Sequence, residues 1–257
     1  MLPRAAVKDR KETVAMAAGD EQGMVPPAYA ELAELAGGFI HEIKNHLSTL
    51  GLNLQLLAED FEQAETQRER RALERAQRLQ GECQRMVEVS NDFLRFARVQ
   101  TLDLTPADLS EVVEEILDFF TPTARQAHIK INAYVPSDLP PVLLDRDMFK
   151  QALLNIMLNA EQAMPQGGEL TIQASAQGDQ MVLNLIDTGK GISAEHLAKI
   201  FRPFFSTKPG GTGLGLPTTK KIIVAHGGTI RVQSDVGRGT QFSIHLPLHA
   251  NVVQEKK

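Results

Sequence analysis

From Ala36 to Phe61 the apolar residues of this chain step by four and three without a break: Ala36, Ile40, Ile43, Leu47, Leu50, Leu54, Leu57, Phe61. This is a heptad seam, and it commits the segment to a long amphipathic helix whose stripe other helices must cover. A polar, charge-rich stretch from Glu62 to Arg71 follows. A second seam then runs through Leu73, Ala76, Leu79, Cys83, Met86, Val87, Phe93, Leu94 and Ala97. Two such helices joined by a polar turn predict an antiparallel hairpin. A lone hairpin cannot enclose its own stripe, so the pattern predicts a homodimer in which two hairpins pair as a four-helix bundle. The alternative is that the hairpin packs on the downstream part of the chain. A strict seam is narrower than a globular core face, which favours the dimer.

Beyond the seams the period changes. Thr101 to Pro106 breaks it and is expected to be a linker. Thr105-Pro106 resembles an N-cap followed by Pro at the first helical position, opening a helix through Val112, Val113, Ile116, Leu117 and Phe120. Ile129 to Val135 alternates like a strand, Pro136 to Pro141 is a loop, and Asp147 to Met164 is a helix. Leu170 to Ala176 and Met181 to Ile186 are strands around a turn at Gly178-Asp179. A helix follows Gly215, and Thr229 to Ser234 with Gln241 to Leu246 close a hairpin around Gly237-Arg238-Gly239. Helices and mainly antiparallel strands interleave without βαβ regularity. The fold class is therefore α+β: a helical hairpin followed by an α/β sandwich, with helices on one face of a mixed sheet. The expected division is a disordered tail over 1–25, the hairpin over 26–100, the linker over 101–106, a second domain over 107–249 and a tail over 250–257.

A chain of 257 residues can bury a core in each of two such parts. Its net charge of −5 gives no basic field for nucleic acid. Cys83 is the only cysteine, which excludes an internal disulfide and a cysteine-based metal site. No apolar run approaches the roughly 18 residues of a spanning helix, and the N-terminus lacks the apolar core of a signal peptide. No membrane insertion is expected, and the expected location is the cytoplasm.

Three segments have the composition of a nucleotide site. Asn155 and Asn159, four apart on a helix, present two amides to one side, and amide oxygens can ligate Mg²⁺ or bond phosphate. Asp187-Thr188-Gly189-Lys190-Gly191 follows a strand, where the carboxylate can accept a bond from an exocyclic amine such as that of adenine and the glycines allow close approach. Gly210-Gly211-Thr212-Gly213-Leu214-Gly215-Leu216 can turn successive N–H groups towards an anion at a helix N-terminus, with Lys208 upstream as a point charge. The Walker pattern Gly-x-x-x-x-Gly-Lys-Ser/Thr is absent, so this is not a P-loop. In the first seam, Ile40, Leu47 and Leu54 at a put His41 at b, facing solvent, beside buried Ile40 and Ile43. An imidazole of ordinary pKa, about 6.5, is nucleophilic there at neutral pH. Glu42 can take its proton, and Asn45 lies one turn on along the same face. His46, His128, His196, His226, His245 and His249 are expected to be ordinary surface histidines, with His46 packing beside the seam.

Taken in this order, the segments resemble those of sensor histidine kinases of two-component signalling, over about residues 30–248. Leu35 to Asn45 looks like the H-box, Asn155 with Asn159 the N-box, and Asp187, Gly189 and Gly191 the first glycine box. Phe201-Arg202-Pro203-Phe204-Phe205 looks like the F-box, Gly211 to Leu216 the second glycine box, and Gly237, Gly239 and Thr240 the last Gly-Thr element. The resemblance implies a Bergerat ATP-binding fold with ATP and Mg²⁺ as cofactors: Asn159 on the metal, Asp187 on the adenine amine, and Lys208 with the glycine loop on phosphates. His41 would take the γ-phosphoryl group with Glu42 as base and pass it to a response regulator. Asn45 would assist hydrolysis of the phosphorylated regulator, and a separate sensory protein could supply the input. The family usually has Pro directly after the position of Asn45. Here His46 stands, so a straighter helix is expected. Two other classes fit parts of the pattern: an ATPase of the same fold using the hairpin as a clamp, and a non-catalytic dimeric scaffold. The ATPase would need a carboxylate base where Asn155 stands.

Overall fold

The computed structural model describes residues 27–99, 102–208 and 210–248. The tails expected at 1–25 and 250–257 lie outside the described residues, as do the side chains of 27–39, His41 and Arg98. Two long helices come first, α1 (Pro27–Asp60) and α2 (Gln67–Arg98). A capping box starts α2: Glu69 N–H donates to Thr66 Oγ1 at 3.3 Å and Thr66 N–H to Glu69 Oε2 at 2.9 Å. These bonds satisfy donors that a helix start leaves open, which is why the chain reverses here without Gly or Pro. The helix α1 runs unbroken through His46, whose side chain is exposed rather than packed at the seam.

Within one protomer the two seams split. Ile40 and Leu54 of α1 are buried with Ala76 and Cys83 of α2. The alternate positions Leu50 and Leu57 remain 51% and 44% exposed, and Leu79 and Met86 are each 55% exposed. One heptad stripe of each helix thus closes the hairpin, and a second apolar stripe on each is left outside it.

The second part opens with β1 (Thr105–Ala107), followed by α3 (Leu109–Gln126), β2 (Ile129–Tyr134), β3 (Val142–Leu144) and α4 (Arg146–Ala163). Then come β4 (Gly168–Gln177), β5 (Gln180–Asp187), the one-turn α5 (Ala194–Leu197), α6 (Gly215–Ala225), β6 (Thr229–Asp235) and β7 (Gly239–Pro247). Five strands form one sheet in the order β2-β4-β5-β7-β6, with only β2 and β4 parallel. The amphipathic faces of α3, α4 and α6 cover it, and Phe120, Phe149, Ile156, Met157, Leu183, Ile222 and Ile244 fill the space between.

Two more expectations are corrected. Thr105 and Pro106 do not open a helix; they pair with Leu144 and Leu143 in a two-stranded ribbon. Pro lacks only a donor, and a ribbon edge does not need one. The helix begins later, where Asp108 Oδ1 accepts from Ser110 N–H at 2.8 Å. His226 is no surface histidine but 4% exposed at the end of α6. Its Nδ1 donates to Ile222 O at 2.8 Å, while its Nε2 accepts the Asp145 N–H at 3.0 Å, tying α6 to the start of α4.

Candidate functional site

The face of α4 opposite the core carries Asn155, Asn159 and Gln162, spaced so that all three amides point the same way. Hydrogen bonds fix two of them. Asn155 Nδ2 donates to Gly215 O at 3.2 Å and to Thr219 Oγ1 at 3.4 Å, bridging to the first turn of α6. Asn159 Nδ2 donates to Asn155 O at 2.8 Å, which turns Asn159 Oδ1 outward. That oxygen accepts from Lys208 Nζ at 2.7 Å, and Gln162 Oε1 accepts from the same ammonium. Burial, and the neighbouring charge of Lys190, hold Lys208 below the ordinary lysine range.

At the end of β5, Asp187 is 5% exposed. Its Oδ1 takes two backbone donors, Gly189 N–H at 2.8 Å and Thr240 N–H at 3.2 Å. Burial pushes this carboxyl above the usual range, and the two N–H bonds oppose the shift. Because both bonds fall on Oδ1, the geometry suits a carboxylate that offers Oδ2 to a ligand amine. Gly239 adopts φ 100° against Asp187 O, so a side chain there would displace the backbone that holds Asp187.

The segment from Phe204 to Gly213 forms a closed loop, with Phe204 N–H donating to Gly213 O at 3.1 Å. Gly213 has φ 67°, and a Cβ on it would lie 2.6 Å from the Phe204 carbonyl carbon. Lys208 is set inside this loop by its own N–H to Ser206 Oγ at 3.1 Å. The helix α6 then begins at Gly215 with no side-chain cap. The Gly215 and Leu216 N–H groups at its start are the donors that an anion can satisfy.

These parts surround a cavity of about 530 Å³, within the range of small-molecule sites. Asn155, Asn159, Asp187, Gly191, Lys208, Gly211, Thr212, Gly213, Gly215, Leu216 and Thr240 line it. Gly189 and Leu214 lie behind the wall: Gly189 bonds Asp187, and Leu214 is fully buried under the first turn of α6. Among the described residues no cluster of His, Cys, Asp and Glu could hold a metal. The cation-holding group here is instead the pair of amide oxygens already around the Lys208 ammonium. Neutral, hard oxygens that accept ammonium suit Mg²⁺ as a partner of phosphate.

The hairpin supplies one wall. Asp92 of α2 lines the cavity, and its Oδ2 accepts from Thr212 Oγ1 at 2.8 Å. Next to it Phe93 stacks on Phe204, with centroids 6.5 Å apart and planes 16° apart. One turn on, Lys221 of α6 donates to Phe96 O at 2.8 Å and lies 5.0 Å over the Phe96 ring. The loop closed by Phe204 and Gly213, a lid over the cavity, is thus docked on the last turns of α2. Lys44 Nζ donates to Asn91 Oδ1 at 2.7 Å, tying α1 to α2 just below this docking. The helices run opposite ways, so from Lys44 back to His41 α1 climbs towards the end of the hairpin on which the lid docks. The side chain of His41 lies outside the described residues. Glu42 and Asn45 are exposed, Ile40 is buried, and Ile43 is half-buried.

Sequence reasoning missed Asp92, Gln162 and Lys190. The spacing from Asn159 carries a signal for Gln162, on the same face three residues later. Nothing local marks Asp92, which reaches the cavity only through tertiary docking.

Comparison with known proteins gives a consistent likeness. Residues 144–250 match the family described as histidine kinase-, DNA gyrase B- and HSP90-like ATPase. The chain is 36% identical over 219 residues to the sensor histidine kinase ZraS of Escherichia coli (strain K12), covering 85% of this chain. It spans only 46% of that relative's length. Among solved structures, the catalytic domain of histidine kinase ThkA matches at 32% identity and TM-score 0.53, covering 57% of this chain and 96% of that one. The same kinase in complex with response regulator protein TrrA matches at 25% identity and TM-score 0.62, covering 86% and 63%. Full-length ShkA in complex with AMPPNP matches at 28% identity and TM-score 0.65, covering 83% and 45%. Among the described residues no helix is long and apolar enough to cross a membrane.

Proposed function

We propose that this chain, which belongs to the sensor histidine kinase family, binds ATP in the cavity between α4 and α6 and phosphorylates its own His41. The observation that carries this is the docking of the lysine–glycine lid on α2, in the half of the hairpin away from its turn, which also carries His41. That docking would keep a phosphoryl donor site and its acceptor residue on one half of one hairpin.

Asp187 would orient the base by accepting from its exocyclic amine, and the uncapped start of α6 would take phosphate oxygens. Asn159, with Asn155 behind it, would hold Mg²⁺, which when bound neutralises phosphate charge. Lys208 would shield the outer phosphates. A ring nitrogen of His41 attacks the γ-phosphorus in line: the P–N bond forms, the bond to the ADP oxygen breaks, and the imidazole proton passes to Glu42. The phosphoryl group would then move to an aspartate of a response regulator, with Asn45 on the same helical face as His41. No carboxylate stands where an ATPase base is needed, because Asn155 spends its amide on Gly215 and Thr219. The exposed stripe of Leu50, Leu57, Leu79 and Met86 supports a homodimer closed as a four-helix bundle. The signal would reach it through a partner protein or a segment outside this chain.

Incubation with γ-labelled ATP and Mg²⁺ tests the proposal. The expected product is a phosphoprotein stable to alkali and labile to acid, lost in His41→Gln. Steady phosphate release with no labelled protein, or undiminished labelling of His41→Gln, would overturn it.

A further inference from the structure

Asn159 and Gln162 converge on one cation. Asn159 cannot turn its oxygen away without losing its bond to Asn155 O at 2.8 Å. Gln162 is a surface residue, yet its oxygen is drawn to the same ammonium, that of Lys208, whose Nζ lies 2.7 Å from Asn159 Oδ1. Asn155, the other amide of this face, is committed to Gly215 and Thr219 through its nitrogen. Among the described residues, the one carboxylate that reaches the cavity from the hairpin is Asp92, and it is engaged by Thr212. The cation is therefore hydrogen-bonded by two neutral oxygens, with the Glu161 carboxylate acting on it only through space.

We propose that Gln162 and Asn159 form a single cation-holding pair, filled by the Lys208 ammonium and taken over by the Mg²⁺ of the nucleotide. This rests on the reading that the cavity takes ATP with Mg²⁺, and adds a residue and an exchange to it. Like charges exclude each other from the site, so free Mg²⁺ cannot compete while the ammonium is there. Triphosphate changes the balance. It attracts both cations, and the ammonium, carried on the lid loop from Phe204 to Gly213, can pass to phosphate oxygen without leaving the cavity. A carboxylate in place of Gln162 would grip the ammonium more firmly. An amide lets it go. Gln162 is therefore a cation-site residue whose effect shows in the response to metal.

The experiment uses the full chain carrying His41→Gln, so that no phosphoryl group is transferred. ATP affinity is measured calorimetrically in EDTA and in saturating Mg²⁺, and Mn²⁺ retention by the ATP complex is followed by electron paramagnetic resonance. With Gln162→Ala, affinity in EDTA should stay within about twofold, while the gain conferred by Mg²⁺ should fall about three- to tenfold, the scale of one hydrogen-bond partner. With Gln162→Glu, Mn²⁺ should be retained more tightly than in the parent. Equal losses with and without metal, or an unchanged Mg²⁺ gain, would overturn the cation pair and leave the kinase reading standing. Failure of the parent to bind ATP in either condition would overturn the kinase reading itself, and the pair with it.

Discussion

The His226 ring is neutral because each nitrogen already has a fixed role: Nδ1 donates to Ile222 O and Nε2 accepts the Asp145 N–H. Burial pushes it below the ordinary histidine value, against the Ile222 carbonyl and the nearby Asp145 charge. A proton on Nε2 would face a donor. Above the unfolded value, about 6.5, both states are neutral and the folded state keeps the full benefit. As pH falls through that value, the unfolded chain takes up a proton that the folded chain refuses, and stability is lost. The second part of the chain, from β1 to β7, should therefore unfold at lower urea concentration at pH 5.5 than at pH 7. His226→Ala, which strands the Asp145 N–H, should cost roughly 2 kcal/mol at pH 7 and flatten this pH dependence. Urea titrations at the two pH values measure both effects. A His in a helical apolar run gives no local sign of this role, since its partner lies 81 residues earlier in the chain. For Asn159, Asp187, Lys208 and most of the glycines, the sequence marked segments that the fold brings to one cavity. Their chemistry is carried by residue type and short spacing, and the fold only had to bring the segments together.

At the scale of elements, long periodic runs were readable and short ones were not. The helices of the hairpin, α4, α6 and the strands β4 to β7 all follow from period and turn residues. The ribbon of β1 with β3 is three residues on each side and makes sense only once Asp145, the cap of α4, also accepts the Asp103 N–H at 3.2 Å. The grip of the lid on α2 is likewise a product of docking. It has three separable parts: an Asp92–Thr212 hydrogen bond, a Phe93–Phe204 stack and the Lys221 ammonium on the last turn of α2. A hydrogen bond to a charged acceptor contributes about 1.5–3 kcal/mol and an aromatic pair about 0.5–1.5 kcal/mol. Asp92→Ala with Phe93→Ala should therefore raise hydrogen exchange of residues 204–213 at least tenfold, while exchange in β4, β5 and β7 stays unchanged. Spread of the increase into those strands would mean that the contacts support the whole domain rather than the lid.

For the whole molecule, the decisive feature is the division of each heptad seam into an inner and an outer stripe. Sequence periodicity identifies a seam but not which half of it a protomer uses for itself. Leu54 stays inside while Leu50 and Leu57 stay out. One substitution on each stripe should separate the two roles. Leu57→Glu on the outer stripe should convert a sedimenting dimer to monomer with the helical circular dichroism of each chain largely kept. Leu54→Ala should instead lower thermal stability, by about 2–5 kcal/mol for a truncated buried leucine, before it changes the association state. Sedimentation and melting read the two outcomes. Asp92, Phe93 and Phe96 fall within about 100° of arc on α2, at 3.6 residues per turn. A stiff rod twisted about its axis carries all three away at once. Torque applied to the hairpin would therefore release the second part of the chain in one movement, as a latch turns, with no new contact required.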